Sequence, residues 1–532
     1  MSAPAADLVI TGGTVVRSAR SGPAVPAEVA IRDGVVVAVG AAAADHRGPG
    51  TDVVDVAGAV LVPGLVDGHT HPVMGLDLTD GVDLTGRRTL PEVAAALAGH
   101  ARSHPDAAFL VGFGLDPGVF GSRPLDNAAI SAAVAGRPAL VHLFDGHGAI
   151  ATGAALAAAG ITGPRPLPGG ATIGVARDGD LTGVLLEEAA IQLVAGSIPL
   201  APFDVRLHQL RRLLHDMAGT GLTGGHVMDA RGDALALFAA LDEQHELPLR
   251  LRVAPWCRTD DDVGELLEGQ RRGGRMWSVE GVKMFLDGTI DGGTAWLTTP
   301  DSSGSSTTPG WDLDDFRDRL RTFDAAGVPV VVHAIGDAAV RFVLDTIASF
   351  GRRPGGPRHR IEHAETLPDD LVPRFAELGV AASMQPRHAT DYTRADGTDN
   401  WSRRLGARRA ARGWRCADVV AAGGVLVLGS DWPVAPYDAR RTLAAAILRR
   451  PPDDPGAPPV QPWQAVSAVE ALHACTAAPG WVAGDGTGRI AVGATADITV
   501  LAADPRHVPA GELGGVEVVQ TISGGLTRLP RP

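Results

Sequence analysis

Two histidines one residue apart close an apolar run, Val62-Pro63-Gly64-Leu65-Val66-Asp67-Gly68-His69-Thr70-His71. At a strand end, side chains two apart face the same way, so both imidazoles can reach one metal ion. Alone, such a pair is as readily two polar loop residues. Four further apolar runs end in residues of related chemistry: Val330-Val331-Val332-His333 before Gly336-Asp337, Ile361-Glu362-His363, Val425 to Leu428 before Gly429-Ser430-Asp431-Trp432-Pro433, and Val282-Lys283 before Met284-Phe285. Each taken singly is better read as a buried hydrogen-bonded histidine or a helix-capping aspartate. Five in one chain point to a shared site.

Lys283 stands out by composition. Of 47 basic residues, 46 are arginine, and Lys283 is the one lysine. An exchange of Lys for Arg wherever charge alone matters leaves a lysine only where the amine itself is needed. An amine, unlike a guanidinium, can be neutral, nucleophilic or carboxylated.

The elements that must position these residues alternate. Val328 to Val332 is strand-like, Ala338 to Phe350 helix-like, and Arg360 to His363 strand-like again. Such alternation predicts parallel βα units, and strand C-termini are where chemistry sits in a (β/α)8 barrel. One unit takes about 30 residues. His333 and His363 are 30 residues apart, His363 and Asp431 68, and Lys283 and His333 50. This places His69 and His71 at strand 1, Lys283 at strand 4, His333 at strand 5, His363 at strand 6 and Asp431 at strand 8. His71 and Lys283 are 212 residues apart, where three units need only about 90. An inserted domain is therefore expected within about residues 75–200. Short strands are expected at both ends, among them Glu28 to Arg32, Val35 to Val39, Asp497 to Leu501 and Val516 to Ile522. The predicted fold class is α/β: a TIM-like barrel over 63–487, with a small β-sandwich built from residues 1–62 and 488–532.

The order His-x-His, Lys, His, His, Asp resembles the amidohydrolase superfamily. GLVDGHTH, GVKMFLDGTIDGGTA, VVVHAIGDAAV, RIEHAE, SMQPRHAT and GSDWPV are similar to blocks of its YtcJ-like, amidohydrolase-3 branch, which includes N-substituted formamide deformylases. Asp145-Gly146-His147-Gly148 and the terminal GATADITVL also match. At Asp291-Gly292-Gly293 the chain departs from the Gly-Ser-Arg common in relatives. The resemblance implies two divalent metal ions, with Zn²⁺ the expected species. His69, His71 and Asp431 would hold one and His333 and His363 the other, bridged by N-carboxylated Lys283. The alternative for Lys283 is an unmodified amine beside a single metal. The resemblance further implies attack of metal-activated hydroxide on a substrate carbonyl, with Asp431 as acid and base. His388 and His147 are candidates for oxyanion or substrate contacts, and Trp432 and Phe113 for contacts beside the site; each also reads as a structural residue.

The function implied is hydrolysis of a C–N amide bond in an N-substituted formamide or similar linear amide. Cyclic-amide or lactone hydrolysis and deamination on the same metals are alternatives, as is a catalytically silent, sensor-like homologue. The formal net charge is −14, which disfavours nucleic acid and anionic membranes because both select a basic face. The expected partner is a small-molecule substrate; a homodimer is compatible with such a fold. The N-terminal stretch has no basic segment leading into an apolar one. Cys257, Cys416 and Cys475 are far apart in sequence, with no Cys-x-x-Cys spacing. A reduced, cytoplasmic location is the expectation.

Overall fold

The computed structural model describes residues 4–121, 123–307, 309–351 and 355–527. The chain is mixed α/β, with five sheets among the described residues. Two of these sheets are wholly parallel. One pairs Leu65–Thr70, Leu222–Ala230, Arg250–Pro255 and Trp277–Val279 in that order. The other runs Val282–Phe285, Val330–Ala334, Arg360–His363, Ala381–Met384 and Val425–Leu428. Isolated parallel bridges join them at Thr70 with Trp432 and at Trp256 with Lys283.

These strands are short, rich in Val, Leu and Ala, and buried along almost their whole length. Continuous burial is what a parallel strand with both faces covered requires. The crossover helix Asp337–Phe350 shows how the cover forms. Its buried residues include Ala339, Val340, Val343, Leu344 and Ile347, an apolar stripe at helical spacing. Burial of each Val, Leu or Ile contributes about 1.5–3 kcal/mol. Asp337 lies in the first turn, where a carboxylate favours the positive end of the helix dipole.

The two chain ends share a sheet. Val60–Pro63 pairs antiparallel with Ile498–Leu501, which continues to Val518–Ser523. Leu8, Ile10 and Val29 of the neighbouring N-terminal sheet pack in one core with Leu61, Ile498 and Val500. The last long strand starts at Val518, later than Val516, because Ala510–Gly515 winds into a 3-10 helix and the Val516 N–H donates to the Leu513 carbonyl. Between Thr70 and Leu222 the chain builds a separate six-stranded mixed sheet from Val82–Asp83 to Leu181–Leu186. Among the described residues, no helix is long and apolar enough to cross a membrane.

Candidate metal centre

Five strands deliver the ligand-bearing side chains. His69 and His71 leave the end of Leu65–Thr70, and Lys283 lies inside Val282–Phe285. His333 and His363 end or nearly end their strands, and Asp431 follows Val425–Leu428. All six are buried. His363 and Asp431 have left-handed φ values of 70° and 58°, a backbone that non-glycine residues adopt at a cost and that often marks a site. Gly68 and Gly429 permit the close approach of the two segments: a Cβ on Gly68 would strike Val427 and the Leu428 carbonyl, and one on Gly429 would strike His69. Asp67 fixes this junction by accepting from the backbone N–H groups of His69, at 3.1 Å, and Ser430, at 2.9 Å. Burial lifts the Asp67 pKa to about 6.

The first group of ligands is compact. His69 Nε2 and His71 Nε2 lie 3.1 Å apart, and Asp431 Oδ1 is 3.2 Å from the first and 2.9 Å from the second. Outer partners set the imidazole tautomers. His69 Nδ1 donates to Glu362, and His71 Nδ1 donates to Asp229 Oδ1 at 2.8 Å. With the Nδ1 positions protonated, the two Nε2 atoms and a carboxylate oxygen face one point. Such a cluster is repulsive unless a cation sits within it, and the donor set suits a divalent metal. The surroundings favour positive charge. Burial opposes it, yet Asp229 and Asp431 push His71 up to about 10.

Glu362 is itself clamped by Arg360, whose guanidinium also donates to the Gly68 carbonyl at 2.6 Å and Ser383 Oγ at 2.8 Å. Burial resists ionisation of Glu362, but Arg360 and His69 hold its carboxyl far below the usual range.

Lys283 is fully buried, and its Nζ has no hydrogen-bond partner among the described residues. It lies 4.6 Å from the centroid of the Phe285 ring. Burial lowers its pKa. The His333 and His363 ring centroids are 4.5 Å apart, and burial holds both pKa values well below the ordinary one. His333 Nε2 is 3.3 Å from the Gly288 carbonyl. His363, His388 and Asp431 form a second group able to share an ion. His388 Nε2 is 3.6 Å from Asp431 Oδ2, and His363 Nδ1 is 3.9 Å from the same oxygen.

The separate sheet reaches this centre through His147. Its Nδ1 donates to Glu187 Oε2 at 2.8 Å, and its ring lies 4.9 Å from that of His333. Burial opposes a charge there, but Glu187 and Asp145 lift the His147 pKa to about 9. Asp145 accepts from Thr289 Oγ1 at 2.9 Å, docking this loop on the turn after the lysine strand. A cavity of about 550 Å³ opens over the centre, lined by His71, His147, Lys283, His333, His363 and Asp431. Its aromatic walls are Phe113, Phe144, Trp256, Phe285, Trp311 and Tyr392. Trp432 is absent from that lining; its ring packs over Gly75 and edge-on to Tyr437.

Several residues with a part in the site had escaped the reading of the sequence. Arg360 and Glu362 share one strand with the anticipated His363, and their period-two spacing puts them on one face. Asp229 is the penultimate residue of Leu222–Ala230 with no motif around it, and Glu187 follows the last strand of the separate sheet. Asp287 accepts from the backbone of Trp296, Ile335 and Gly336, and burial raises it to about 7. That carboxylate ties the loop after His333 to the lysine strand.

Comparison with known proteins follows the same lines. A model described as the amidohydrolase family matches residues 52–527. The chain is 27% identical over 513 residues to YtcJ of Bacillus subtilis (strain 168), covering 93% of this chain and 94% of that one. It is 25% identical over 507 residues to N-substituted formamide deformylase of Arthrobacter pascens, covering 91% of each. A crystal structure of an uncharacterized metal-dependent hydrolase from Pyrococcus horikoshii OT3 superposes with a TM-score of 0.73 at 22% identity, over 95% of this chain and 99% of that one.

Proposed function

Because the chain belongs to the amidohydrolase family and is a metal-dependent amidohydrolase, we propose that it hydrolyses linear amides of the N-substituted formamide class. The observation that carries this reading is the convergence of His69 Nε2, His71 Nε2 and Asp431 Oδ1 beside a buried Lys283 whose Nζ has no hydrogen-bond partner among the described residues. The two parallel sheets, bridged at Thr70 and at Lys283, close in this reading into a (β/α)8 barrel with the site at the strand C-termini.

His69, His71 and Asp431 would hold one Zn²⁺ ion. His333 and His363 would hold a second, with N-carboxylated Lys283 bridging the two. His388 is a further candidate ligand through its place beside His363 and Asp431. When bound, such ions polarise a carbonyl and acidify water. The neutral amine favoured by burial of Lys283 is the form that can be carboxylated, and the product would exchange an unpaired buried amine for two anionic oxygens.

The protein's own groups do the rest. Asp431 takes the proton of the attacking water and delivers it to the leaving nitrogen. Glu187 occupies His147 Nδ1, leaving Nε2 available to a substrate oxygen. The aromatic walls suit an apolar N-substituent, and a cavity of this size accommodates a small organic molecule. The three cysteines, all buried and free, are in keeping with a cytoplasmic location.

The test is a panel of N-alkyl and N-aryl formamides, linear amides, cyclic amides and amines, with formate, ammonia and free amine measured separately. Formate with equimolar amine is the expected result. Ammonia release would replace this reading with deamination. Metal analysis and ¹³C-bicarbonate NMR of chelator-free protein should give two ions per chain and a carbamate signal.

A further inference from the structure

A second cavity, of about 940 Å³, lies toward the opposite ends of the same strands. Its inner end is walled by His226, Met228, Arg252, Ala254, Val331 and Arg360, and Arg271, Arg358 and Trp481 also line it. Nothing in the proposed hydrolysis uses it.

Its polar groups lean toward donors. Arg360 Nη1 donates to His226 Nδ1 at 2.7 Å. A guanidinium cannot accept, so this nitrogen carries the lone pair. Burial, helped by Arg360 and Arg252, keeps His226 neutral. Its proton therefore resides on Nε2, which has no partner among the described residues although the residue is 96% buried. Arg252 repeats the pattern. One arm donates to Asp485 and the Nε forms a longer ion pair with Glu280 at 3.6 Å, but that buried Nε–H makes no hydrogen bond among the described residues. The carboxylates of the lining are engaged: Glu280 accepts from Ser278 at 2.5 Å, and Asp324 lies 3.2 Å from His359 Nε2. Arg271 and Arg358 have no carboxylate partner among the described residues; Arg358 donates to the Trp481 carbonyl and lies over the Trp481 ring. Buried donors without acceptors are costly, and excess guanidinium is the chemistry that takes up carboxylate and phosphate groups.

We propose that this cavity is a binding site for a small oxyanion, a molecule carrying a carboxylate or phosphate-type group. His226 Nε2–H and Arg252 Nε–H meet it at the inner end, and Arg271 and Arg358 attract it. The site is joined to the metal centre. Arg360 bonds both His226 and Glu362, and Glu362 accepts from His69 Nδ1. An anion that draws on His226 thus bears on the partner that orients a metal ligand, and the coupling is reciprocal by linkage. This coupling rests on the metal reading above; the anion site does not.

The test is calorimetric titration of sulfate and of succinate into chelator-treated protein, where no metal can take the anion. Saturable binding of one of them is expected; sulfate would mark a phosphate-type ligand and succinate a carboxylate. The Arg271→Ala/Arg358→Ala double variant, altered at the less buried cations, should weaken binding at least about tenfold, as should His226→Gln. His71→Ala should bind as the unaltered protein does. Absence of saturable binding, equal affinity in both cavity variants, or loss in His71→Ala would overturn the site. Zinc affinity, measured by chelator competition, should change when the anion is saturating; an unchanged affinity would overturn the coupling alone. Failure to bind zinc at all would end the metal reading and leave the anion titration standing.

Discussion

His69 and His71 bring their Nε2 atoms within 3.1 Å of each other while both Nδ1 atoms are committed to carboxylates, Glu362 for one and Asp229 for the other. The two rings are thereby prevented from turning their protons toward one another. The facing Nε2 atoms mark the place for a cation, and Asp431 is already in position beside them.

Metal removal should therefore cost stability as well as activity. A ligand present at a hundred times its Kd stabilises the folded state by about 2.7 kcal/mol. Chelator-treated protein is expected to unfold at lower urea than the zinc-loaded form, and stoichiometric zinc should restore both the unfolding midpoint and turnover. Superimposable unfolding curves would show that these three side chains hold no ion.

Lys283 tests the second ion. Lys283→Arg keeps a cation but cannot form a carbamate, and Lys283→Ala removes the bridge altogether. Both are expected to fall from two metal ions per chain toward one and to lose most turnover. Added acetate should partly rescue Lys283→Ala, because a free carboxylate can enter the space left by the side chain. Full metal content and activity in Lys283→Ala would exclude the bridging role.

Glu362 joins the metal centre to the fold. It is fully buried with Arg360, and removing one partner of a buried pair costs about 3–5 kcal/mol. Glu362→Gln should lower the urea midpoint accordingly. Its folded pKa is depressed from 4.5, so the pairing stabilises the protein above that value and is lost as pH falls below it toward the folded pKa. The unaltered protein should lose stability between about pH 5 and pH 3 more steeply than Glu362→Gln. Parallel pH profiles would remove Glu362 from this role.

Much of this was legible in the sequence, for definite reasons. Strand runs such as Val330–Ala334 and Arg360–His363 are apolar because both faces are covered, and a ligating residue interrupts such a run visibly. Lys283 is legible by composition alone. The supporting residues were harder to see. Asp229 and Glu187 act across the fold, 158 residues from His71 and 40 from His147, and no local pattern announces such a pairing. Arg360 and Glu362 lie in plain view beside His363, but a buried Arg–Glu pair on a strand reads like surface charge until the burial is known. Trp432 shows the converse: adjacency to Asp431 in sequence suggests a wall of the site, yet past the end of its strand, after the left-handed Asp431, the ring lies against Gly75.

Asp229 supplies the sharpest test of how the outer carboxylates work. It accepts from His71 Nδ1 at 2.8 Å, is buried, and is held in its ionised form by His71 against the opposing effect of burial. Asp229→Asn preserves size but can present an N–H where a carboxylate oxygen stood. The amide then either accepts weakly from His71 or drives the proton to Nε2, which would block metal ligation by that ring. Loss of such an orienting partner typically costs 10–100-fold in metal affinity or activity. Chelator competition should show zinc affinity falling by about that factor. A variant that keeps full zinc affinity would show that His71 finds its tautomer without Asp229, and that the carboxylate serves only to neutralise charge beside the site.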